Sequence, residues 1–407
     1  MVPIIKDYMS PSNTNGDLPS PDTILFNDTR TPPVLKFSPG KNYLLRIVNI
    51  GGLACGSFHI QGYTLKVVEM DGVQTQPKNA DTIVICAGQS YGVVVTGKLN
   101  PLGGANYIVK LSTDMLTGAI PPANQITLIG KVVYNILGLL LDFIADVLTL
   151  NWVPAGTLDD FSMRPLDGQK LLTPVDNKIE LATNQTYFNG IGTRIGVGSQ
   201  PWVPPKVPTL YSALTTGNAA LDPATYGPGV NPWILKSGQV VQIHYQNTHP
   251  YPHPMHLHVS RYCTIGLFAC SHTQGHVFQL VAHGSGSWNG NEGSLPSVPA
   301  KRDVVVVPAN GYIVIRFKAD NPGVWFFHCH IDLHLVGGMA ATMIEAPDVA
   351  QGLLTVPAAA AAICSNGGIK SSGNCNGDPG TISASDAAMK CNNVYNSVGN
   401  NNGALVG

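Results

Sequence analysis

The stretch that most constrains this chain runs Trp325-Phe326-Phe327-His328-Cys329-His330-Ile331-Asp332-Leu333-His334-Leu335-Val336-Gly337-Gly338-Met339. One cysteine, three histidines and a methionine fall between His328 and Met339. Cys329, His334 and Met339 stand at relative positions 0, +5 and +10. That spacing suits a thiolate on a strand end, an imidazole from the following loop and a sulfur further on. Thiolate, imidazole and a weak thioether at one site are the donors of a blue copper centre. His328 and His330 flank the cysteine, and alternation along a strand sends neighbours to opposite faces. They therefore do not share the ion held by Cys329 and are expected to point together at a second site behind it. Two adjacent peptide units would join the sites, a short path for electrons. The alternative, three core histidines and a buried cysteine, is disfavoured because buried polar groups rarely lack partners.

A second cluster completes the first. His253-Pro254-Met255-His256-Leu257-His258 carries histidines at spacings of 3 and 2. His253 is able to supply the imidazole the blue site lacks, which leaves His256 and His258 for the second site.

The chain has 407 residues, enough for two or three domains. Charged residues are 12%, with 44 Gly and 31 Pro, the composition of a turn-rich all-β protein. A net charge of −1 gives no basic footprint for nucleic acid. Short strands between turns are expected over Asn42–Ile50, Tyr63–Met70, Tyr91–Thr96, Val240–Tyr245, Asp303–Val307 and Tyr312–Phe317. The expected architecture is two cupredoxin-like Greek-key β-sandwich or barrel domains. The first, 1–157, has one histidine, His59, and no ligand cluster. The second, 158–350, bears both clusters. A low-complexity tail, 351–407, low in apolar content past Cys364, is expected to be disordered from about residue 352.

Residues 136–150 form an apolar run with a helical look, interrupted by Asp142 and Asp146 and too short for a membrane span. No hydrophobic anchor is read in the tail. If Cys329 binds a metal, seven of the eight cysteines remain, and their pairing is not legible. Asn27 and Asn184 open glycosylation sequons. The first residues lack the features of a signal peptide. The expectation is a secreted protein whose leader lies outside this chain. His59, His244, His276 and His283 have no partner at ligand spacing and are expected not to bind metal.

The two histidine clusters together resemble the last domain of the multicopper oxidases. The segments NYLLRIVNIGG, VVEMDGV, PPKVPTLYSAL and RFKADNPGVWFFHCHID are similar to those of yeast-type iron-uptake ferroxidases, over most of residues 20 to 347. The resemblance implies a copper-dependent oxidoreductase that takes electrons from a small reducing substrate and gives them to O2. It implies type 1 copper on His253, Cys329 and His334 with Met339 axial, type 2 copper on His256, and type 3 copper on His258, His328 and His330. Asp332 matches an acid that assists proton delivery to oxygen.

Two departures matter. Sixteen residues, Val259 to Gln274, separate His258 from the Gly275-His276-Val277-Phe278 that follows directly in the family. They are either a loop insertion or a retained in-frame intron, and in the second case Cys263, Cys270 and His272 have no role. Further, the family draws four more imidazoles from two HxH motifs in a first cupredoxin domain, and no HxH motif precedes His253. The trinuclear site is therefore half supplied, and a further cupredoxin domain is the expected partner.

Where the iron-oxidising members place carboxylates, this chain has Gln61 and His249. Hard oxygen donors favour ferric ion, so these residues speak against ferroxidase activity, and Trp202 is a candidate pocket wall; Met339 as axial ligand implies a modest potential, which suits easily oxidised donors such as diphenols, aminophenols or ascorbate. A laccase-like oxidase is the first reading. A ferroxidase, a non-catalytic copper-binding or electron-transfer module and a non-functional fragment that retains no copper are the alternatives.

Overall fold

The structure is a computed structural model that describes residues 10, 12–101, 103–136, 139–141, 153–188, 192–198, 200–258 and 277–391. The insertion 259–274 and residues 142–150 lie outside them. The chain divides into two compact units. One comprises 18–171 and 296–304; the other comprises 1–17, 172–295 and 305–407.

Among its described residues before 172 the first unit holds ten strands: β1 (Leu35–Phe37), β2 (Asn42–Val48), β3 (Gly56–Ile60), β4 (Leu65–Met70), β5 (Val73–Ala80), β6 (Thr82–Ile85), β7 (Ser90–Thr96), β8 (Ala105–Leu111), β9 (Thr127–Ile136) and β10 (Leu139–Leu141). They form a sheet in the order β1-β9-β8-β3-β6, with β10 on β9, and a second sheet in the order β2-β7-β4-β5. Alternation puts Leu65, Val67, Val93 and Val95 fully inside, where branched side chains suit a pleated, packed surface. A Cys55–Cys86 disulfide closes one end of the β3–β6 pair, one residue beyond the Gly56–Ile85 register. The apolar run from Ile136 is not helical where it is described. Leu139–Leu141 folds back antiparallel on Tyr134–Ile136, because the β-rich segment before it extends the sheet and offers an edge to pair with.

The second unit continues with β11 (Asn177–Phe188), β12 (Gly192–Val197), β13 (Pro232–Leu235), β14 (Val240–Gln246), β15 (His253–Leu257), β16 (Phe278–Ser285), then, beyond the short strand β17 (Ala300–Arg302) that belongs to the first unit, β18 (Val304–Val307), β19 (Gly311–Lys318), β20 (Gly323–Cys329) and β21 (Ala340–Glu345). One sheet runs β12-β11-β14-β19-β16; the other runs β13-β21-β20-β15-β18. Tyr245 on β14 meets Phe327 on β20 edge to face at 6.1 Å, so the inner faces of the two sheets interlock. The all-β expectation holds, and the helices among the described residues are short, none longer than the 9 residues of Ala358–Asn366.

The expected disorder after residue 352 is overturned as far as Cys391. Helices span Pro347–Leu353, Ala358–Asn366 and Ala384–Cys391. A Cys375–Cys391 disulfide packs with Ile382 and Ala387 into a small core. The bridge and a few small side chains order a segment too poor in large apolar groups to bury itself. Gly227 makes the fit possible: a Cβ there would lie 2.8 Å from Cβ of Cys391. No single helix among the described residues is long and apolar enough to cross a membrane.

Candidate metal centre

β15 and β20 pair antiparallel, with Met255 opposite Cys329, His256 opposite His328 and Leu257 opposite Phe327. Register then decides which imidazole goes where. His253, two residues before Met255, shares the face of Cys329, whereas His256 and His328 share the opposite face. After Cys329 the chain makes one helical turn, Asp332–Val336, which brings His334 back to the thiol. Nδ1 of His253 lies 3.7 Å and Nδ1 of His334 3.6 Å from Sγ of Cys329, and the two nitrogens are 3.2 Å apart. Such separations are what three ligands about 2.0–2.3 Å from one ion impose on each other. All three residues are buried. Met339 is fully buried, and its carbonyl accepts from the Cys329 N–H at 3.0 Å, so the chain returns to the same end of the strand.

That return depends on Gly338. Its φ is +105°, and a Cβ would sit 2.6 Å from Cβ of Pro201 and 2.8 Å from the Trp202 nitrogen, whose N–H donates to the Gly338 carbonyl. Gly338→Ala is expected to cost more than about 1 kcal/mol and to displace Met339. Thermal unfolding together with the absorption of the copper-loaded protein checks this; an unchanged midpoint and spectrum would refute it.

Behind the strand, ligand atoms of His256, His258 and His328 converge within 4.8 Å. Nδ1 of His328 lies 2.8 Å from the Cys329 carbonyl. A carbonyl only accepts, so that nitrogen carries the proton and Nε2 keeps its lone pair. The Nε2 in question faces Nε2 of His258 at 2.9 Å. An outer N–H on a backbone carbonyl is also how metal-binding imidazoles are usually oriented. The His330 ring stands 5.7 Å from those of both His256 and His328, and its Nδ1 is buried without a partner. Phe326 flanks this group, 5.3 Å from His328 and 5.8 Å from His258.

Burial keeps these imidazoles neutral. It pushes His328 and His334 down to about 3, and lowers His253 and His258 as well; neighbouring histidines add to the effect for His253, His258 and His334. Burial also pushes the Cys329 thiol well above its ordinary value, while the Ile331 N–H favours the thiolate. Nε2 of His253 is buried without a partner. Neutral nitrogens crowded around a thiol that only a cation would ionise fit copper. A consequence for the metal-free protein follows from the sign of the shifts. Between pH 6.5 and about 3 the unfolded chain protonates His328 and His334 and the folded chain does not. Stability is present above pH 6.5 and falls as the medium is acidified, by up to about 1.4 kcal/mol per pH unit for each histidine. Urea denaturation at pH 7 and pH 4.5 measures it, and His328→Gln is expected to flatten the slope; equal slopes in the two proteins would count against it.

Asp332 is exposed at the start of its helical turn. His249 stacks obliquely near His253, ring centroids 5.4 Å apart, and its Nε2 meets Oε1 of the exposed Gln185. Nothing in the spacing marked Gln185, because strand β11 is remote in sequence. Trp202 packs edge to face on Phe326 at 5.0 Å and donates to Oγ1 of Thr342 at 3.2 Å. Gln61 lies in the first unit, its N–H bonded to the Asn106 carbonyl. Asn27 is exposed in a turn at φ +50°, and Asn184 sits half-buried on β11. His244 pairs with Glu180 at 2.5 Å rather than with any candidate ligand, and Nδ1 of His59 lies 2.7 Å from the Asp81 carbonyl. Cys263, Cys270, His272 and His276 lie outside the described residues.

Two sequence profiles, both described as multicopper oxidase, match residues 3–135 and residues 202–266 with 270–349. The iron transport multicopper oxidase fetC of Epichloe festucae is 34% identical over 386 residues, covering 92% of this chain and 58% of that protein. The iron transport multicopper oxidase FET3 of Candida albicans is 33% identical, covering 90% and 57%. The chain thus spans little more than half the length of the relatives it matches. The crystal structure of Fet3p, a multicopper oxidase that functions in iron import, superposes with a TM-score of 0.81 at 29% identity, over 92% of this chain and 69% of that one. A laccase from Botrytis aclada shares the fold at a TM-score of 0.61 and 24% identity, over 83% of this chain and 58% of that one. Its paired histidine clusters, its two β-sheet units and these matches agree: the chain belongs to the multicopper oxidase family.

Proposed function

We propose that this chain is the electron-accepting part of a laccase-like oxidase, which oxidises small diphenol-type donors one electron at a time and passes the electrons to O2. One observation carries the reading: a cysteine–imidazole group and a separate imidazole group meet at Cys329 and its neighbour His328. We read His253, Cys329 and His334 as the type 1 ligands with Met339 axial, His256 as type 2, and His258, His328 and His330 as type 3. Copper, when bound, supplies a one-electron acceptor of moderate potential, as a thioether partner favours. The chain's own residues do the rest. The backbone on either side of Cys329 links the two ligand groups covalently. His249 and Gln185 hold the approach to the His253 edge. We read Asp332, exposed at the start of the helical turn that carries His334, as the acid that delivers protons. The two units correspond in this reading to the second and third cupredoxin domains, and a further domain with four imidazoles completes the oxygen site. Secretion and glycosylation at Asn27 and Asn184 belong to the same proposal.

A ferroxidase is the second reading, favoured by the iron-transport names of the relatives. The two part at His249. With the completed oxidase, oxygen uptake on a para-diphenol is expected to exceed that on ferrous ion, and His249→Asp to raise the ferrous rate about tenfold or more by adding a hard oxygen donor. A native protein already faster on ferrous ion would transfer the assignment to iron. A blue band without any oxygen uptake in the completed protein would leave an electron-transfer module.

A further inference from the structure

Within the group His253, Cys329 and His334, regular structure places two members: the sheet holds Cys329, and the helical turn after it holds His334. His253 is the first residue of β15, at the end of a turn that leaves β14 at Asn247 and contains Pro250 and Pro252. Neither proline has an N–H, so a backbone ladder cannot secure this turn. A hydrogen bond on the outer ring nitrogen usually orients a metal-binding imidazole. Nε2 of His253 is buried and has no such partner among the described residues. The orientation of this ring therefore falls to the backbone that carries it.

One side chain ties the turn down. Asn247 is fully buried. Its Nδ2 donates to the Tyr251 carbonyl at 2.8 Å and to the Pro308 carbonyl at 2.9 Å. Its Oδ1 accepts from the His249 N–H at 3.0 Å and from the Thr183 hydroxyl at 3.1 Å. Every donor and acceptor position of the amide is thus used, and the partners fix its orientation, because carbonyls only accept and a backbone N–H only donates. With the Thr183 proton committed to Asn247, the Tyr245 hydroxyl, 2.7 Å away, donates to Oγ1 of Thr183. Tyr245 packs edge to face on Phe327, on the strand that ends in Cys329. Around the same turn, Thr248 donates to the Thr183 carbonyl at 3.1 Å and the Asn310 N–H to the His249 carbonyl at 2.8 Å. Asn247 joins the turn to β11, to the end of β18 and, through Thr183 and Tyr245, to β20. A buried polar network with every member satisfied rigidifies what it connects.

We propose that Asn247 is a positioning residue for copper: its amide fixes the turn 247–252 and so sets His253 at ligand distance from Cys329 before an ion binds. The role rests on the copper reading of His253, Cys329 and His334. Blue absorption belongs to a trigonal arrangement of two imidazoles and a thiolate, so it reports where His253 stands.

The test compares the unsubstituted full chain with Asn247→Asp, which keeps the shape and the acceptor of the amide and removes both donors. In the metal-free proteins, hydrogen exchange at the amides of Thr248, His249, Tyr251 and His253 is expected to quicken about tenfold or more in the variant, while β20 keeps its protection. In the copper-loaded proteins, the variant is expected to hold the blue copper about tenfold to a hundredfold more weakly, and its band to shift and lose intensity. Thr183→Val, which removes one donor to Oδ1, serves where the Asn247 variant does not fold. It is expected to move the band in the same direction, and Thr183→Ser, which keeps the hydroxyl, to restore it. Quicker exchange with an unchanged band and affinity would overturn the proposal, since Asn247 would then order the turn without placing the ligand. Unchanged exchange would overturn it as well. An unsubstituted chain that takes up copper and is never blue is a different failure: it removes the copper reading itself, and this role with it.

Discussion

Cys329→Ser is expected to abolish the intense blue absorption of the copper-loaded protein and to lower donor oxidation by about a thousandfold or more, roughly 4 kcal/mol of barrier. The argument is one of donor chemistry rather than of folding. Cys329 is fully buried, and the Ile331 N–H points at its sulfur from 3.5 Å, so a serine hydroxyl inherits both the space and a donor. It does not inherit a soft, polarisable thiolate, and the remaining donors, two imidazoles and a thioether, no longer make a blue site. The second group keeps its imidazoles. Total bound copper is therefore expected to fall by one ion per chain relative to the unsubstituted protein, not to zero. Absorption and copper content of the two proteins, measured side by side, check this. A serine variant that stays blue would remove Cys329 from the ligand set and with it the proposed electron path.

Why the first group was readable from the chain is visible in the register. Strand alternation alone separates His328 from Cys329, and the spacing of His253, His256 and His258 repeats that separation on the partner strand. Pairing His256 with His328 is then what puts like with like. The strands Asn42–Val48, Val240–Gln246 and Gly311–Lys318 were legible for the same reason, since period-two patterning survives any topology. Other features rest on contacts between residues far apart in sequence, which local pattern does not encode. Gln185 reaches His249 only because β11 lies parallel beside β14. The Cys375–Cys391 bridge orders a tail whose composition reads as disorder, and cysteine spacing does not disclose a partner. Leu139–Leu141, in an apolar run with a helical look, pairs as a strand, because an available sheet edge outweighs weak local propensity.

The buried ion cluster of the first unit was equally illegible, and it carries the largest stability effect expected in the molecule. Arg302, fully buried, grips Asp71 through two parallel bonds, Nε to Oδ2 at 2.8 Å and Nη2 to Oδ1 at 3.0 Å. Its Nη1 donates to the Tyr91 hydroxyl at 2.8 Å and also meets Asp160, to which Tyr91 donates at 2.6 Å. The guanidinium carbon lies 4.7 Å from the centre of the Tyr91 ring. Asp71 sits at the β4–β5 turn with φ +46°, and it also accepts from the Ser90 N–H at 2.7 Å. One cation thus ties a turn, a central strand and the segment 296–304 together. Charges this deep cost several kcal/mol to desolvate, so the cluster is not a large net gain over a well-packed apolar core. Breaking it is another matter. Arg302→Met leaves Asp71, 4% exposed, without its counter-ion, at a cost of about 3–5 kcal/mol. For a unit of this size that lowers the unfolding midpoint by roughly 10 °C. The double variant Arg302→Met, Asp71→Asn is expected to recover part of the loss, since it removes the stranded charge while asparagine keeps an acceptor for Ser90. Scanning calorimetry on the single and double variants decides the matter: a shift below about 2 °C for Arg302→Met, or a double variant less stable than the single, would show that the burial of Asp71 is relieved by something other than this arginine.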